Sequence, residues 1–162
     1  MTREQHEQRL AALTSRYPYL FSGEHLEYDI APGWLGIVEE LCAQIEATLT
    51  AAEKPTVSFG QVKEKLGGLR AYVKGAPLRL DIIGERGLRV SGRFEKEARS
   101  DVFSRIAPIL DAAEDASYRT CILCGAPGRV RRNRSWWLTL CDKHAACTYQ
   151  DLKERFEEVT GP

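Results

Sequence analysis

Residues 121–125 read Cys-Ile-Leu-Cys-Gly, and residues 141–144 read Cys-Asp-Lys-His. Each stretch holds two candidate metal ligands with two residues between them, and sixteen residues separate the two pairs. Three thiolates and one imidazole are a donor set that zinc prefers, and four protein ligands leave no position for a catalytic water. The spacing therefore predicts one structural Zn²⁺ held by Cys121, Cys124, Cys141 and His144.

The residues around these pairs predict a small treble-clef-like module. Residues 126–140 have glycine early and apolar residues late, as a short hairpin would. After Cys141, apolar residues recur at helical spacing to Val159, so we expect the second ligand pair on the first turn of a helix. Gly125 lets the chain leave the Cys-x-x-Cys turn without steric cost.

The other cysteine interpretations are weaker. Four buried thiols that bind no metal are one alternative, and a redox pair at Cys121 and Cys124 is another, although no thioredoxin-like strand and helix surround it. Cys147 lies one helical turn beyond His144 and is the alternative ligand. Cys42 falls on an apolar helix face, where a thiol is expected to serve as packing.

The predicted hairpin carries arginines next to two tryptophans. Arginine beside an exposed aromatic ring can hold phosphate and stack on bases, yet Trp and Arg are also the preferred anchors of protein interfaces. A third interpretation is a solvated turn whose Trp137 covers the zinc core. The candidate binding residues, for a protein or a nucleic acid, are Arg129, Arg131, Arg132, Arg134 and Trp136. Lys63, Lys65 and Arg70 could extend the basic surface.

Residues 1–118 are predicted to form an α+β core domain, with helices packed on a small antiparallel sheet. Apolar spacing predicts helices at 2–16, from Gly33 to about Ala52, and at 96–117, the last interrupted or kinked by Pro108. A loop is expected at 22–32. Strands are expected at 56–59 and 69–73, joined through Gly67-Gly68, and a second hairpin at 78–94. Residues 119–162 would form the zinc module, packed on this core.

Composition favours a cytoplasmic protein. The 162 residues hold no apolar run of the roughly 20 residues that a membrane span requires. The N-terminal sequence is charged and lacks the apolar run of a signal peptide. Five cysteines in such a chain are better explained by metal or burial than by disulfides. The formal net charge is zero, which argues against a dedicated nucleic-acid protein.

Catalysis finds little support in the sequence. His6 falls on a polar helix and His25 in a loop, with no serine or cysteine arranged around either. Treble-clef nucleases carry a catalytic histidine on the hairpin before the metal helix, and residues 125–140 contain no histidine. We therefore expect a protein that is not an enzyme.

Three segments together resemble a family of small proteins from bacteriophages, prophages and their bacterial hosts. They are Gly33-Trp34 with the helix that follows, the block 61–72 (QVKEKLGGLRAY), and Thr120 through His144. The resemblance covers roughly half the chain, and residues 75–95 are longer here than in the family pattern. No activity, substrate or catalytic residue comes with this family. It implies a setting in mobile elements, where small proteins often bind and block, or adapt, another macromolecule.

These observations favour a non-enzymatic, zinc-stabilised binding protein that docks on a protein partner, as an inhibitor, immunity protein or accessory factor. The alternative is a nucleic-acid-binding or transcription-associated regulator that uses the basic hairpin at 129–137. Neither role involves a membrane. The apolar residues of the short zinc module could also contribute to a homodimer.

Overall fold

The structure is a computed structural model, and it describes residues 1–23, 26–74, 78–83, 89–94, 101–133 and 136–152. The chain has a mixed α+β architecture. Its helices are α1 (Arg3–Arg16), α2 (Leu35–Thr48) and α3 (Asp101–Ser117). Its strands are β1 (Glu27–Tyr28), β2 (Phe59–Lys65), β3 (Gly68–Val73), β4 (Leu78–Ile83), β5 (Arg89–Phe94), β6 (Arg129–Asn133) and β7 (Trp136–Leu140).

The helices begin and end where local chemistry dictates. Helix α1 starts at a capping box, in which Thr2 Oγ1 accepts from the Gln5 N–H at 3.2 Å and Gln5 Oε1 accepts from the Thr2 N–H at 2.9 Å. Helix α2 follows a 3₁₀ turn at Pro32–Trp34, where proline sets the backbone angle. The predicted start at Gly33 is therefore two residues early. Helix α3 runs without interruption through Pro108, so the predicted interruption is wrong, and the alternative of a kink at Pro108 stays a prediction.

The central sheet has the order β1-β2-β3 and is mixed, not purely antiparallel as predicted. Strand β1 pairs in parallel with β2, through Glu27 opposite Gln61 and Tyr28 opposite Val62. Strands β2 and β3 pair antiparallel. The sequence prediction missed β1, because a two-residue strand is too short to show a period, and assigned its residues to a loop.

The turn between β2 and β3 differs from the predicted one. Leu66 and Gly67 occupy it with positive φ angles of 57° and 81°, the signature of a two-residue turn that matches strand twist. Gly68 is the first residue of β3. A Cβ atom at this position would stand 2.4 Å from Cζ of Tyr118, so only glycine fits beside this ring. The first strand was predicted at 56–59, but it spans Phe59–Lys65, so the charged QVKEK residues are strand and not connection.

Two further hairpins match their sequence predictions. Strand β4 pairs antiparallel with β5, and β6 pairs antiparallel with β7. Helix α3 packs against β3 and α2, and α2 packs against α1. The buried core joins these elements to residues beyond position 118, including Ile122, Leu138 and Leu140. A domain boundary at 118 stays a prediction.

Candidate metal centre

The first ligand pair lies in a tight turn fixed by main-chain hydrogen bonds. The Cys121 N–H donates to Ala126 O at 2.8 Å, and the Gly125 N–H donates to Cys121 O at 2.9 Å. Gly125 has a φ of 75°, the left-handed conformation that glycine adopts at little cost. The Ile122 N–H donates to Thr139 O at 2.9 Å. These bonds hold the turn against strand β7.

The second ligand pair follows strand β7 directly. Cys141 precedes a 3₁₀ turn at Asp142–His144, and the His144 N–H donates to Cys141 O at 3.2 Å. The prediction that this pair occupies the first turn of a longer helix is wrong. Helical structure resumes only at 149–152, because Thr148 starts it as an N-cap, with Thr148 Oγ1 accepting from the Asp151 N–H at 3.3 Å.

The four predicted ligands come together at one point. Their ligand atoms all lie within 4.8 Å of one another, and together they could hold one metal ion. Sγ of Cys124 is 3.8 Å from Sγ of Cys141. Nδ1 of His144 is 3.3 Å from Sγ of Cys141 and 3.5 Å from Sγ of Cys121. The site is thus assembled from two turns. Cys121 and Cys124 come from the Cys-x-x-Cys turn, and Cys141 and His144 come from strand β7's C-terminal end and the 3₁₀ turn after it.

The pKa values of two thiols in the cluster shift in opposite directions, downward for Cys141 and upward for Cys124. Withdrawal from water would raise the pKa of Cys141, but N–H groups of His144 and Lys143 and the sulfur atoms of Cys121 and Cys124 lower it on balance. For Cys124 the pKa is raised, first by partial withdrawal from water and then by the neighbouring sulfur atoms. The cluster therefore already favours a thiolate at Cys141, and thiolates are the form that binds metal.

The two remaining cysteines lie outside the cluster. Cys42 is fully buried on helix α2, and burial raises its pKa to about 12, so its thiol stays protonated. Cys147 is partly buried and packs against the core, and it is not among the residues that converge. The expected packing role of Cys42 agrees with this burial.

Asp142 engages two of the predicted binding arginines. The Arg131 guanidinium donates to the Asp142 carboxylate and, through Nε, to Leu140 O at 3.2 Å. Arg129 approaches the same carboxylate at 3.5 Å. Arg131 therefore ties strand β6 to the turn that carries Cys141 and His144. Asp142 was not predicted as a functional residue. Its position directly after a metal ligand, in a segment that follows a run of arginines, is the sequence feature that indicates such an ion pair.

Of the three remaining predicted binding residues, the structure describes Arg132 and Trp136. Arg132 is exposed on strand β6, and Arg134 lies outside the described residues. Trp136 is 45% exposed, and one of its faces stacks on Tyr149, with ring centroids 4.0 Å apart and an interplanar angle of 11°. Asn133 Nδ2 donates to Cys147 O at 2.7 Å, which fixes the end of the hairpin against the loop after His144.

Arg70 does not extend the basic surface. It is 2% exposed, and its Nη1 lies 2.9 Å from Oε1 of Glu114 on helix α3. Its Nη2 donates to the Tyr118 hydroxyl at 2.9 Å. The prediction that Arg70 could join a basic surface is wrong, because a buried guanidinium requires a carboxylate partner and helix α3 supplies one.

Two histidines, His6 and His25, are not among the four predicted ligands. His6 is buried, and its Nε2 lies 2.9 Å from Ile30 O. His25 lies outside the described residues. None of the helices in the described ranges combines the length and apolar composition that a bilayer crossing requires.

The fold and the site define an α+β protein whose C-terminal part gathers a three-cysteine, one-histidine cluster suited to one metal ion. In comparisons with known proteins, the chain matches no family model, no curated protein and no solved structure.

Proposed function

We propose that this chain is a non-enzymatic, zinc-stabilised binding protein that docks on a protein partner. The observation that carries the zinc assignment is the spacing of the ligand atoms. A tetrahedral zinc with bonds of about 2.3 Å to sulfur and about 2.0 Å to nitrogen places its sulfur atoms about 3.8 Å apart, and a sulfur and a nitrogen about 3.5 Å apart. Three of the six distances between the ligand atoms, 3.8 Å, 3.5 Å and 3.3 Å, are close to these values, and all four ligand atoms lie within 4.8 Å of one another.

A structural role for the ion follows from the number of ligands. Three thiolates and one imidazole complete a four-coordinate sphere, whereas catalytic zinc sites use three protein ligands and water. A site of this kind, which exists only in the folded chain, contributes to the folding free energy directly. The treble-clef-like arrangement of this module stays a proposal.

Metal content tests the zinc assignment. Purified, reduced protein should carry one zinc per chain by inductively coupled plasma mass spectrometry. Cys121→Ser should abolish stoichiometric binding, whereas Cys147→Ser is the matched control and should retain the ion. Zinc that is retained in Cys121→Ser would remove Cys121 from the ligand set, and zinc-free wild-type protein would overturn the assignment.

The surface around the cluster supports a protein partner over a nucleic acid. Arg131 already binds the Asp142 carboxylate, and Arg70 is buried against Glu114, so fewer guanidinium groups are available for phosphate than the sequence suggests. Arg129, whose side chain is 71% exposed, stays accessible. Trp136 remains exposed on strand β7, and Asn133, at the end of the paired strand β6, donates to Ala145 O and Cys147 O. A rigid, exposed tryptophan is the kind of side chain that dominates protein interfaces.

Affinity capture with matched aromatic variants tests the docking. The zinc-loaded chain should retain one stoichiometric protein partner from a lysate of its native host, and Trp136→Ala should release it. Tyr28→Ala is the control, because Tyr28 is comparably exposed at 43% but lies on β1. Capture that is unchanged in Trp136→Ala would exclude this surface, and recovery of nucleic acid alone would contradict a protein partner.

The exposure of Arg132 favours one alternative, nucleic-acid binding by the hairpin. That role requires DNA or RNA affinity that falls steeply with salt and weakens further in Arg132→Glu. Arg119→Glu, an exposed arginine outside the hairpin, is the charge-matched control. A fluorescence anisotropy titration that shows no binding at low salt would exclude this alternative.

A further inference from the structure

The three cysteines of the cluster differ in their access to solvent. Cys121 is fully buried and Cys141 is 8% exposed, whereas Cys124 is exposed. Cys121 belongs to the buried hydrophobic core, whereas Cys124 does not. A metal-bound thiolate keeps electron pairs that can attack an electrophile, so reactivity follows exposure. Of the three cysteines in the cluster, Cys124 is the one that the structure leaves exposed.

A second thiol, that of Cys141, lies close to the Cys124 sulfur. Sγ of Cys141 lies 3.8 Å from Sγ of Cys124, and a disulfide requires the two atoms to close to about 2.05 Å. The 3₁₀ turn after Cys141 is short and ends before the helical turn at 149–152. Cys141 therefore lies at the junction of strand β7 and this short turn, on the opposite side of the cluster from the turn that carries Cys124.

We propose that Cys124 is a peroxide-modified site and that its oxidation ejects the metal ion. This inference rests on the zinc site proposed above. The Cys124 thiolate attacks one oxygen of hydrogen peroxide, the O–O bond breaks, and the departing hydroxide takes up a proton to become water. The Cys141 thiolate then attacks the oxidised sulfur, the S–S bond forms, and the S–O bond breaks to release a second water after protonation.

The step is balanced without any redox change at the metal. Two thiolates, one peroxide and two protons become one disulfide and two waters, and the two electrons come from the two sulfur atoms. Zinc keeps its charge, because Zn²⁺ has no accessible redox state. Only Cys121 and His144 remain as ligands, so the ion leaves. Under oxidising conditions the zinc module would then lose the ion that stabilises it.

The test uses the full zinc-loaded chain and hydrogen peroxide. Zinc content is measured first on the reduced protein, so that a missing metal site is recognised separately, and zinc-free protein overturns both proposals. Peroxide is then added below one equivalent, released zinc is read with a chromogenic chelator, and oxidised cysteines are mapped by differential alkylation and mass spectrometry. We expect one zinc released per Cys124–Cys141 disulfide.

The control is Cys147→Ser, which removes the nearest cysteine outside the cluster and should leave zinc release unchanged. Mapping on the wild-type chain keeps the proposal testable even where ligand variants fail to fold. First oxidation at Cys147 or Cys42, a disulfide that lacks Cys124 or Cys141, or peroxide consumption with the ion retained would each overturn it.

Discussion

Gly33 connects the N-terminal core to the Cys-x-x-Cys turn at close range. Its N–H donates to Ile122 O at 2.8 Å, and a Cβ atom at this position would stand 2.0 Å from Cys121 O and 2.6 Å from Ile122 O. The next residue adds a second tie, since the Trp34 indole donates to Thr120 O at 2.9 Å. The Gly33-Trp34 pair therefore positions the first two ligands from outside the module.

Substitution of Gly33 should consequently damage both stability and metal binding. Gly33→Ala forces the main chain of the turn to move and should cost at least about 2 kcal/mol in the free energy of unfolding. Gly36→Ala is the matched control, because nothing lies within 4 Å of its added methyl group, and it should gain about 0.5–1 kcal/mol within helix α2. Urea unfolding checks both values, and equal stabilities would contradict this account of Gly33.

Arg70 and Glu114 form an ion pair in which both side chains are buried, at 1% and 5% exposed. Removing one partner leaves an uncompensated charge, so Glu114→Ala should cost about 3–5 kcal/mol. Glu7→Ala, which breaks the exposed pair with Arg3, should change stability by less than about 0.5–1 kcal/mol. Thermal unfolding of Glu114→Ala, Glu7→Ala and the wild-type chain measures the two changes in stability.

The double variant Arg70→Met, Glu114→Leu separates charge from packing. It should recover most of the loss of Glu114→Ala, because apolar residues of similar volume often replace a buried ion pair without penalty. A double variant that is no more stable than Glu114→Ala would show that the hydrogen bonds of Arg70, and not its unpaired charge, carry the effect.

Between secondary-structure elements, Glu53 joins the segment after α2 to helix α3. Its carboxylate accepts from the Thr50 N–H and the Thr50 hydroxyl, both at 2.9 Å, and from Arg105. The main-chain bond of Thr50 is the largest of the effects that lower the pKa of Glu53, followed by the hydroxyl, with Arg105 adding to them. The carboxylate form is thus favoured by folding.

A lowered carboxyl pKa has a defined sign in stability. The contribution of Glu53 is complete above the unfolded pKa of about 4.3 and is lost as pH falls through the lower folded value. Glu53→Gln should therefore flatten the fall in the urea midpoint below about pH 4.3. Glu7→Gln, on the exposed face of α1, is the control, and parallel midpoint curves for Glu53→Gln and wild type would be inconsistent with this contribution.

Across the whole molecule, the buried core is shared by residues before and after position 118. Thr139 Oγ1 also donates to Gly67 O at 2.6 Å, so the β6–β7 hairpin is fixed to the turn between β2 and β3. We expect one cooperative unfolding transition, shifted to lower urea concentration by a zinc chelator, because an ion that binds only the folded state stabilises it by mass action. Circular dichroism and tryptophan fluorescence should give coincident curves, whereas two separate transitions would indicate independent domains.

The sequence predicted local patterns better than long-range ones. Helix α1, the hairpin β4–β5 and the hairpin β6–β7 follow from periodicity over neighbouring residues, and the approach of the four ligands follows from their spacing. The burial of Arg70 could not be predicted, because its partner Glu114 lies forty-four positions away and shows no pattern linking the two. Strand β1 was likewise invisible, since only its pairing with β2 defines it.

The position of the second ligand pair was missed for a local reason. Apolar spacing after Cys141 suggested a continuous helix, but spacing alone does not show where a helix begins. Thr148 and Asp151 set that point, with the Thr148 N–H donating to Asp151 Oδ2 at 2.6 Å. A threonine followed three residues later by a carboxylate is an N-terminal signal that the sequence contains.

X-ray absorption spectroscopy at the zinc edge of the purified, reduced chain tests the central claim most directly, because it reports the atoms bound to the ion. The account predicts one zinc with three sulfur neighbours at about 2.3 Å and one nitrogen neighbour at about 2.0 Å. A first shell dominated by oxygen, or protein that binds no zinc, would contradict it.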